Sequence, residues 1–173
     1  KIGAQVAGVV NVTGSSIAKE CGQGIYLHAG PEIGVASTKA FTSQIVALNL
    51  LNMYFNKNPY YRMQMTDELK KLPDKVKGFL EFQNVENVAR KYKDSKNFLF
   101  MGRDINYPVA MEGALKLKEL SYIPAEGYPS GEMKHGPIAL IEEDVPCVFI
   151  VTKDQVYEKV LSNMEEVKSR RGK

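Results

Sequence analysis

The residues best placed to do chemistry lie close together in one stretch of the chain. Glu112, Lys116 and Glu119 follow one another at steps of four and three, so on a helix all three share a face and the ammonium reaches both carboxylates. From spacing alone, an exposed ion-pair ladder is the commoner meaning of such a triplet. The chemical reading requires the face to be partly buried, where a carboxylate becomes useful for moving a proton. His135 sits between Lys134 and Gly136-Pro137, in a segment that reads as too polar to be core, and can give or take a proton near neutral pH. His28, at the close of a short apolar run, reads as structural. Neither histidine has a second ligand at metal spacing, so no metal is expected. A third group, Gly34 to Lys39, gathers hydroxyls and backbone N–H groups where a long helix begins, an arrangement that suits an anion or a polar substrate. Ser37 or Thr38 acting as a simple helix cap is the plainer explanation, although a cap accounts for only one hydroxyl.

These residues need a scaffold, and the hydrophobic pattern supplies one. Residues 7–12 read as a short buried strand, 24–28 as a second short strand, and the stretch from Ser37 or Thr38 to about Tyr54 as a long, well-buried helix apolar on more than one side. Residues 55–66 read as a connector, 67–80 as an amphipathic helix interrupted by Pro73, and 83–92 as a further helix. Asn97 to Arg103 is a strand entering a loop. Pro108 then stands in the first turn of a helix over about 109–122, where proline is tolerated. The glycine-rich run 125–137 reads mostly as loop, 146–152 as a strong strand and 154–170 as an amphipathic helix. Strands alternating with helices predict βαβ units and a mainly parallel sheet, in an α/β fold.

Composition narrows the class of protein. With 173 residues and 44% hydrophobic side chains, the chain can bury a core without disulfides or metals. Cys21 and Cys147 have no C-x-x-C neighbour and read as reduced thiols. No apolar run is long enough to span a bilayer and the first residues carry no signal-peptide pattern, so a soluble, cytoplasmic protein without a membrane partner is expected. The net charge of +3 arises from alternating lysines and acids. The cluster Lys168, Arg170, Arg171 and Lys173 reads as a solvated helical end rather than a nucleic-acid surface.

Three runs in order carry a more specific signal. Ala29-Gly30-Pro31-Glu32-Ile33-Gly34-Val35-Ala36-Ser37-Thr38-Lys39-Ala40-Phe41-Thr42, then Glu112-Gly113-Ala114-Leu115-Lys116-Leu117-Lys118-Glu119-Leu120-Ser121-Tyr122, then Gly131-Glu132-Met133-Lys134-His135-Gly136-Pro137 resemble the isomerase portion of the glutamine–fructose-6-phosphate aminotransferases, the glucosamine-6-phosphate synthases. The resemblance covers essentially the whole chain. It implies a three-layer αβα sandwich of the sugar-isomerase (SIS) type with mainly parallel sheets. Residues 1–56 would be the C-terminal part of a first subdomain, 57–93 a helical linker and 94–173 the N-terminal part of a second.

In that family the isomerase portion receives ammonia from a glutaminase domain of the same chain, works as a homodimer and converts fructose 6-phosphate to glucosamine 6-phosphate, with no cofactor. By motif position the resemblance implies that Glu119 moves a proton between C1 and C2, with Lys116 as its polar neighbour and Glu112 beside them. His135 would assist ring opening across the dimer interface, and Val35 and Ser37 would line the sugar pocket. The family's serine-rich phosphate loop would precede Lys1 and its Schiff-base lysine would follow Lys173. The segment alone is therefore expected neither to hold the phosphate well nor to complete transamination. Asp104 stands where relatives usually have glycine, and Pro124 where they commonly have histidine. A deglycase or sugar-phosphate deaminase on the same fold, and a non-catalytic sugar-phosphate-binding module, are the alternatives. The joint presence of Glu119, Lys116 and His135 argues against the module.

Overall fold

A computed structural model describes residues 3–81, 84–143 and 145–173. The chain divides into two compact units, residues 1–83 and 84–173, a boundary that falls inside the stretch expected to be a linker.

In the first unit, β1 (Gly8–Val10) pairs in parallel with β2 (Gly24–Tyr26), shorter strands than the apolar runs suggest. Their crossover is α1 (Ser16–Cys21). The Ser15 hydroxyl caps it by accepting from the Ala18 N–H at 3.3 Å, and Gly22 ends it in a left-handed conformation. Beyond β2 the chain turns through His28, at a φ of 54°, into a loop that Asn11 ties back to the end of β1. The Asn11 amide donates to the Gly30 carbonyl at 2.6 Å and accepts from the Ala29 N–H at 2.9 Å.

That loop leads to α2 (Lys39–Phe55), whose start differs from expectation. Thr38 occupies the cap position but its hydroxyl makes no capping bond. The carboxylate of Glu32 takes the role instead, accepting from the Thr38 N–H at 2.8 Å and the Ala40 N–H at 3.0 Å. Those two N–H donors, Thr38 first, hold the Glu32 carboxyl below the usual carboxylate range. Nor is α2 well buried within its unit. Ala40 and Ala47 are buried, whereas Ile45, Leu48 and Leu50 are about half exposed.

The expected connector at 55–66 is helical from Pro59 onward. A single helix, α3 (Pro59–Glu81), begins where the Asn58 side chain accepts from the N–H groups of Tyr60 and Tyr61, and it continues through Pro73. No residue of α3 is buried in its unit, so water can solvate the carbonyl that Pro73 leaves without an N–H partner.

The second unit opens with α4 (Val85–Tyr92); the expected start at 83 lies outside the described residues. It is built on a three-stranded parallel sheet with β3 (Phe98–Gly102) at its centre, flanked by β4 (Ala125–Pro129) and β5 (Cys147–Phe149). The crossovers contain α5 (Asn106–Ser121), and α6 (Tyr157–Ser169) follows β5. Strand alternation separates two faces. Leu99 and Met101 turn to one side and pack in a buried cluster with Met133, Ile141, Val145 and Val167 of α6. Phe100 turns to the other side, against α5 at Gly113. The unit is thus a helix–sheet–helix sandwich.

The segment 125–137, expected to be mostly loop, contains β4 and a 3₁₀ turn over Ser130–His135. Gly127 and Pro129 dilute its strand signal, and pairing along the whole length of β3 creates the strand. The link from β3 to α5 is tight: a Cβ on Gly102 would lie 2.0 Å from the Asn106 carbonyl oxygen. Asp104 takes a φ of 53° in that turn. Buried Asn106 then joins the turn to the segment after β5, donating to the Thr152 hydroxyl at 2.7 Å.

Two outcomes follow from these contacts. Replacing Glu32 with Ala should make the Thr38 and Ala40 amides exchange with solvent several-fold faster, read by hydrogen exchange. Because the Glu32 carboxyl is depressed from 4.5 in the folded chain, protection should be complete above that value and be lost as the pH falls through the lower, folded-state value. At the β3–α5 turn, Asp104→Val should cost about 1–2 kcal/mol in a denaturant titration, since a β-branched residue resists positive φ, while Asp104→Gly should cost nothing.

Candidate active-site face and the family of the chain

The charged triplet lies on α5. Its fourfold and threefold steps bring Lys116 Nζ to 2.5 Å from Glu119 Oε2 and 3.4 Å from Glu112 Oε1. The helix holds this face in place from its opposite side. Ala110 and Ala114 are buried toward the sheet, and the absence of side chains at Gly113 and Gly127 allows a close approach. A Cβ on Gly127 would lie 2.7 Å from Met111 Cα.

Burial separates this triplet from an ordinary surface ladder. The side chains of Glu112, Lys116 and Glu119 retain 23%, 24% and 27% of their exposure, whereas the exposed pair of Glu86 and Arg90 on α4 retains more than 70% on both sides. The hydrogen bond to Glu119 is the main reason the Lys116 ammonium is held above the usual lysine range, with the charge of Glu112 adding to it against partial desolvation. The site therefore presents two carboxylates with a fixed cation between them. Such a group can accept a proton on one carboxylate oxygen while the ammonium holds that side chain in position.

His135 closes the 3₁₀ turn that follows β4, at the carboxyl end of that strand, the side on which open parallel sheets bind their ligands. Its side chain is 76% exposed and its Nε2 lies 3.9 Å from Glu132 Oε2, too far for a hydrogen bond. The turn is not wholly polar surface, as its sequence suggests, because Ser130 and Met133 are buried and Met133 joins the core. The structure gathers Glu112, Lys116 and Glu119 into one cluster; among the described residues, the ion-pair neighbour of His135 is Glu132.

Val35 and Ser37 belong to the first unit, in the loop before α2. Val35 is almost fully exposed and Ser37 is half-buried. The donors at the start of α2, expected to suit an anion, are partly taken by the protein's own Glu32 carboxylate. Sequence reasoning missed Glu32 as a functional group of this loop. Its signal was an acidic residue within reach of a helix start that Ser37 and Thr38 also flank. Among the described residues no group of three or more His, Cys, Asp or Glu side chains could hold a metal ion.

Comparison with known proteins is consistent with this architecture. A family model described as the SIS domain matches residues 1–54 and 91–173. The chain is 53% identical, over 99% of its length, to a protein of Chlorobaculum tepidum named glutamine–fructose-6-phosphate aminotransferase (isomerizing), and covers 29% of it. A protein of the same name from Aquifex aeolicus is 54% identical over 99% of this chain and 28% of its own length. The chain thus spans less than a third of these relatives. Among solved structures, the C-terminal domain of the glucosamine-fructose-6-phosphate aminotransferase of Francisella tularensis superposes with a TM-score of 0.93 at 43% identity, over 96% of this chain and 49% of that one. Matched along both of its strand-bearing segments, the chain belongs to the SIS domain family.

Proposed function

We propose that this chain is the isomerase segment of an enzyme that makes glucosamine 6-phosphate from fructose 6-phosphate and glutamine-derived ammonia. The observation that carries the reading is the partly buried arrangement of Glu112, Lys116 and Glu119 on α5. Identity of 53% with a relative of that name, over nearly the whole of this chain, supports it.

In this reading Glu119 takes a proton from C1 of the open-chain sugar. The electrons of the C1–H bond form a C1–C2 double bond while the π pair of the C2=N group made with ammonia moves onto nitrogen, which takes up a proton; Glu119 then returns its proton to C2 as the C1 hydroxyl loses one and C1=O forms. Lys116 holds the Glu119 carboxylate in place, and Glu112 fixes Lys116 from the preceding turn. His135 serves ring opening from the exposed turn after β4, reaching the site of a partner subunit in a homodimer. Val35 and Ser37 line the sugar pocket. Residues 1–56 and 94–173 contribute parts of two SIS subdomains joined by a helical linker over 57–93. A glutaminase domain of the same polypeptide supplies ammonia, and the enzyme works in the cytoplasm. No helix among the described residues is long and apolar enough to cross a membrane.

In the full-length protein, Glu119→Gln should lower kcat by about 10²- to 10⁴-fold with little change in KM, and should abolish exchange of the C1 hydrogen of fructose 6-phosphate with deuterated solvent. Unchanged turnover and exchange would sink the assignment of the proton to Glu119. A second outcome concerns the ladder. Since the Lys116 ammonium is raised above 10.5 in the folded chain, the stabilisation it contributes should be constant from neutral pH up to the ordinary lysine value, while the partner carboxylates stay ionised, and be lost as the pH rises through the raised value. Lys116→Met should remove that alkaline loss from a plot of denaturant midpoint against pH.

A further inference from the structure

The proposed role of His135 requires an exposed imidazole on a backbone that does not wander, and the side chains that fix this backbone lie on α6. Ser130, the first residue of the turn, is 1% exposed. Above it stands Asn163, 8% exposed, in the middle of α6. One end of its amide faces three acceptors: the Ser130 hydroxyl at 3.1 Å, the Ser130 carbonyl at 3.3 Å and the Lys159 carbonyl at 3.2 Å. The same end lies 3.3 Å from Arg103 Nη1, a donor. Three acceptors outweigh one donor, so the amide nitrogen faces Ser130 and Lys159. Arg103 then acts by packing: its guanidinium lies over Gly131, where an added Cβ would come within 3.0 Å of Nη1.

The other end of the turn is held from the same helix. Lys134, next to His135, places its Nζ 2.9 Å from Glu166 Oε1, and the Glu166 side chain is only a quarter exposed. Asn163 and Glu166 are three residues apart and so share a face of α6, with Val160 and Val167 beside them buried in the unit. Met133, between these two attachments, is fully buried in the core cluster and anchors the middle of the turn. The imidazole projects from a segment pinned at both ends and in the middle.

We propose that Asn163 and Glu166 are positioning residues that hold the His135 turn for sugar ring opening. The inference rests on the functional reading above. Opening a furanose breaks the C2–O5 bond: O5 gains a proton, the C2 hydroxyl loses one, and C2=O forms. An imidazole that is displaced slows this step alone. It does not slow the later transfer between C1 and C2, which Glu119 performs.

The test uses the full-length protein with two substrates, fructose 6-phosphate and its 5-deoxy analogue, which lacks the hydroxyl that closes the ring. Asn163→Ala and Glu166→Gln should each lower kcat/KM on fructose 6-phosphate by about 10- to 100-fold while leaving the open-chain analogue within twofold of wild type. Glu166→Gln keeps the side-chain volume and removes the ion pair, so it answers the question if Asn163→Ala does not fold. Equal losses on both substrates, or no loss on either, from a Glu166→Gln protein with an unchanged melting temperature would overturn the proposal. If the wild-type protein turns over the analogue but His135→Ala does not discriminate between the substrates, the ring-opening role of His135 falls and the proposal with it. Wild-type protein that turns over neither substrate would overturn the functional reading itself.

Discussion

No side chain fits between α5 and the sheet at Gly127. With a Cβ only 2.7 Å from the Cα of Met111, any other residue there would push the helix off β4. The same closeness recurs at Gly113 against Phe100 and is completed by Ala110 and Ala114, buried with side chains of one carbon each. This contact sets the height of α5 over the sheet, and with it the position of Glu112, Lys116 and Glu119. It also makes β4 a strand despite its poor strand composition, since the segment that carries Gly127 must run beside β3 for the helix to pack. The turn after β4, with His135 at its end, inherits its starting point from that pairing.

The two faces of the central strand divide the labour. Phe100 faces the glycine and alanines of α5, whereas Leu99 and Met101 belong to the cluster that includes Met133 and Val167. The first face is close and made of small residues, so the helix is rigidly placed and its outer charges are held at fixed distances. The second face is filled by larger side chains and carries the attachment of the His135 turn to α6. A parallel sheet with helices on both sides thereby supports two groups of different chemistry from one strand, each with its own packing.

Close packing also explains why polar side chains do so much of the joining in loops. Backbone N–H and C=O groups that no neighbouring strand or helical turn pairs can be met by a side chain, and side chains can also join one another across a junction. Asn11 serves the loop before α2, Glu32 the start of α2, Asn58 the start of α3 and Asn106 the junction between β3, α5 and the segment after β5. Asp104 has no glycine's freedom but still adopts positive φ, which a short polar side chain tolerates better than a branched one. Asn11 and Asn106 show weakly in a linear reading, because their partners are distant in sequence.

What the sequence determined unaided was whatever depends on near neighbours or on strong periodicity. The alternation of strands and helices gave the α/β class and the parallel arrangement, and the steps of four and three placed Glu112, Lys116 and Glu119 on one face. Strand β3 and helices α2, α5 and α6 were legible to within a few residues. Tertiary structure decided the rest. Pairing with β3 turned the expected loop at 125–129 into β4, and a carboxylate from the preceding loop capped α2 in place of Ser37 or Thr38. Pro59 and Asn58 started α3 earlier than its amphipathic pattern indicated, and solvent exposure let it continue through Pro73. Most of all, spacing could not say whether the triplet on α5 was a surface ladder or a partly buried group. That depended on what the tertiary structure places around the helix, which spacing along one element does not contain.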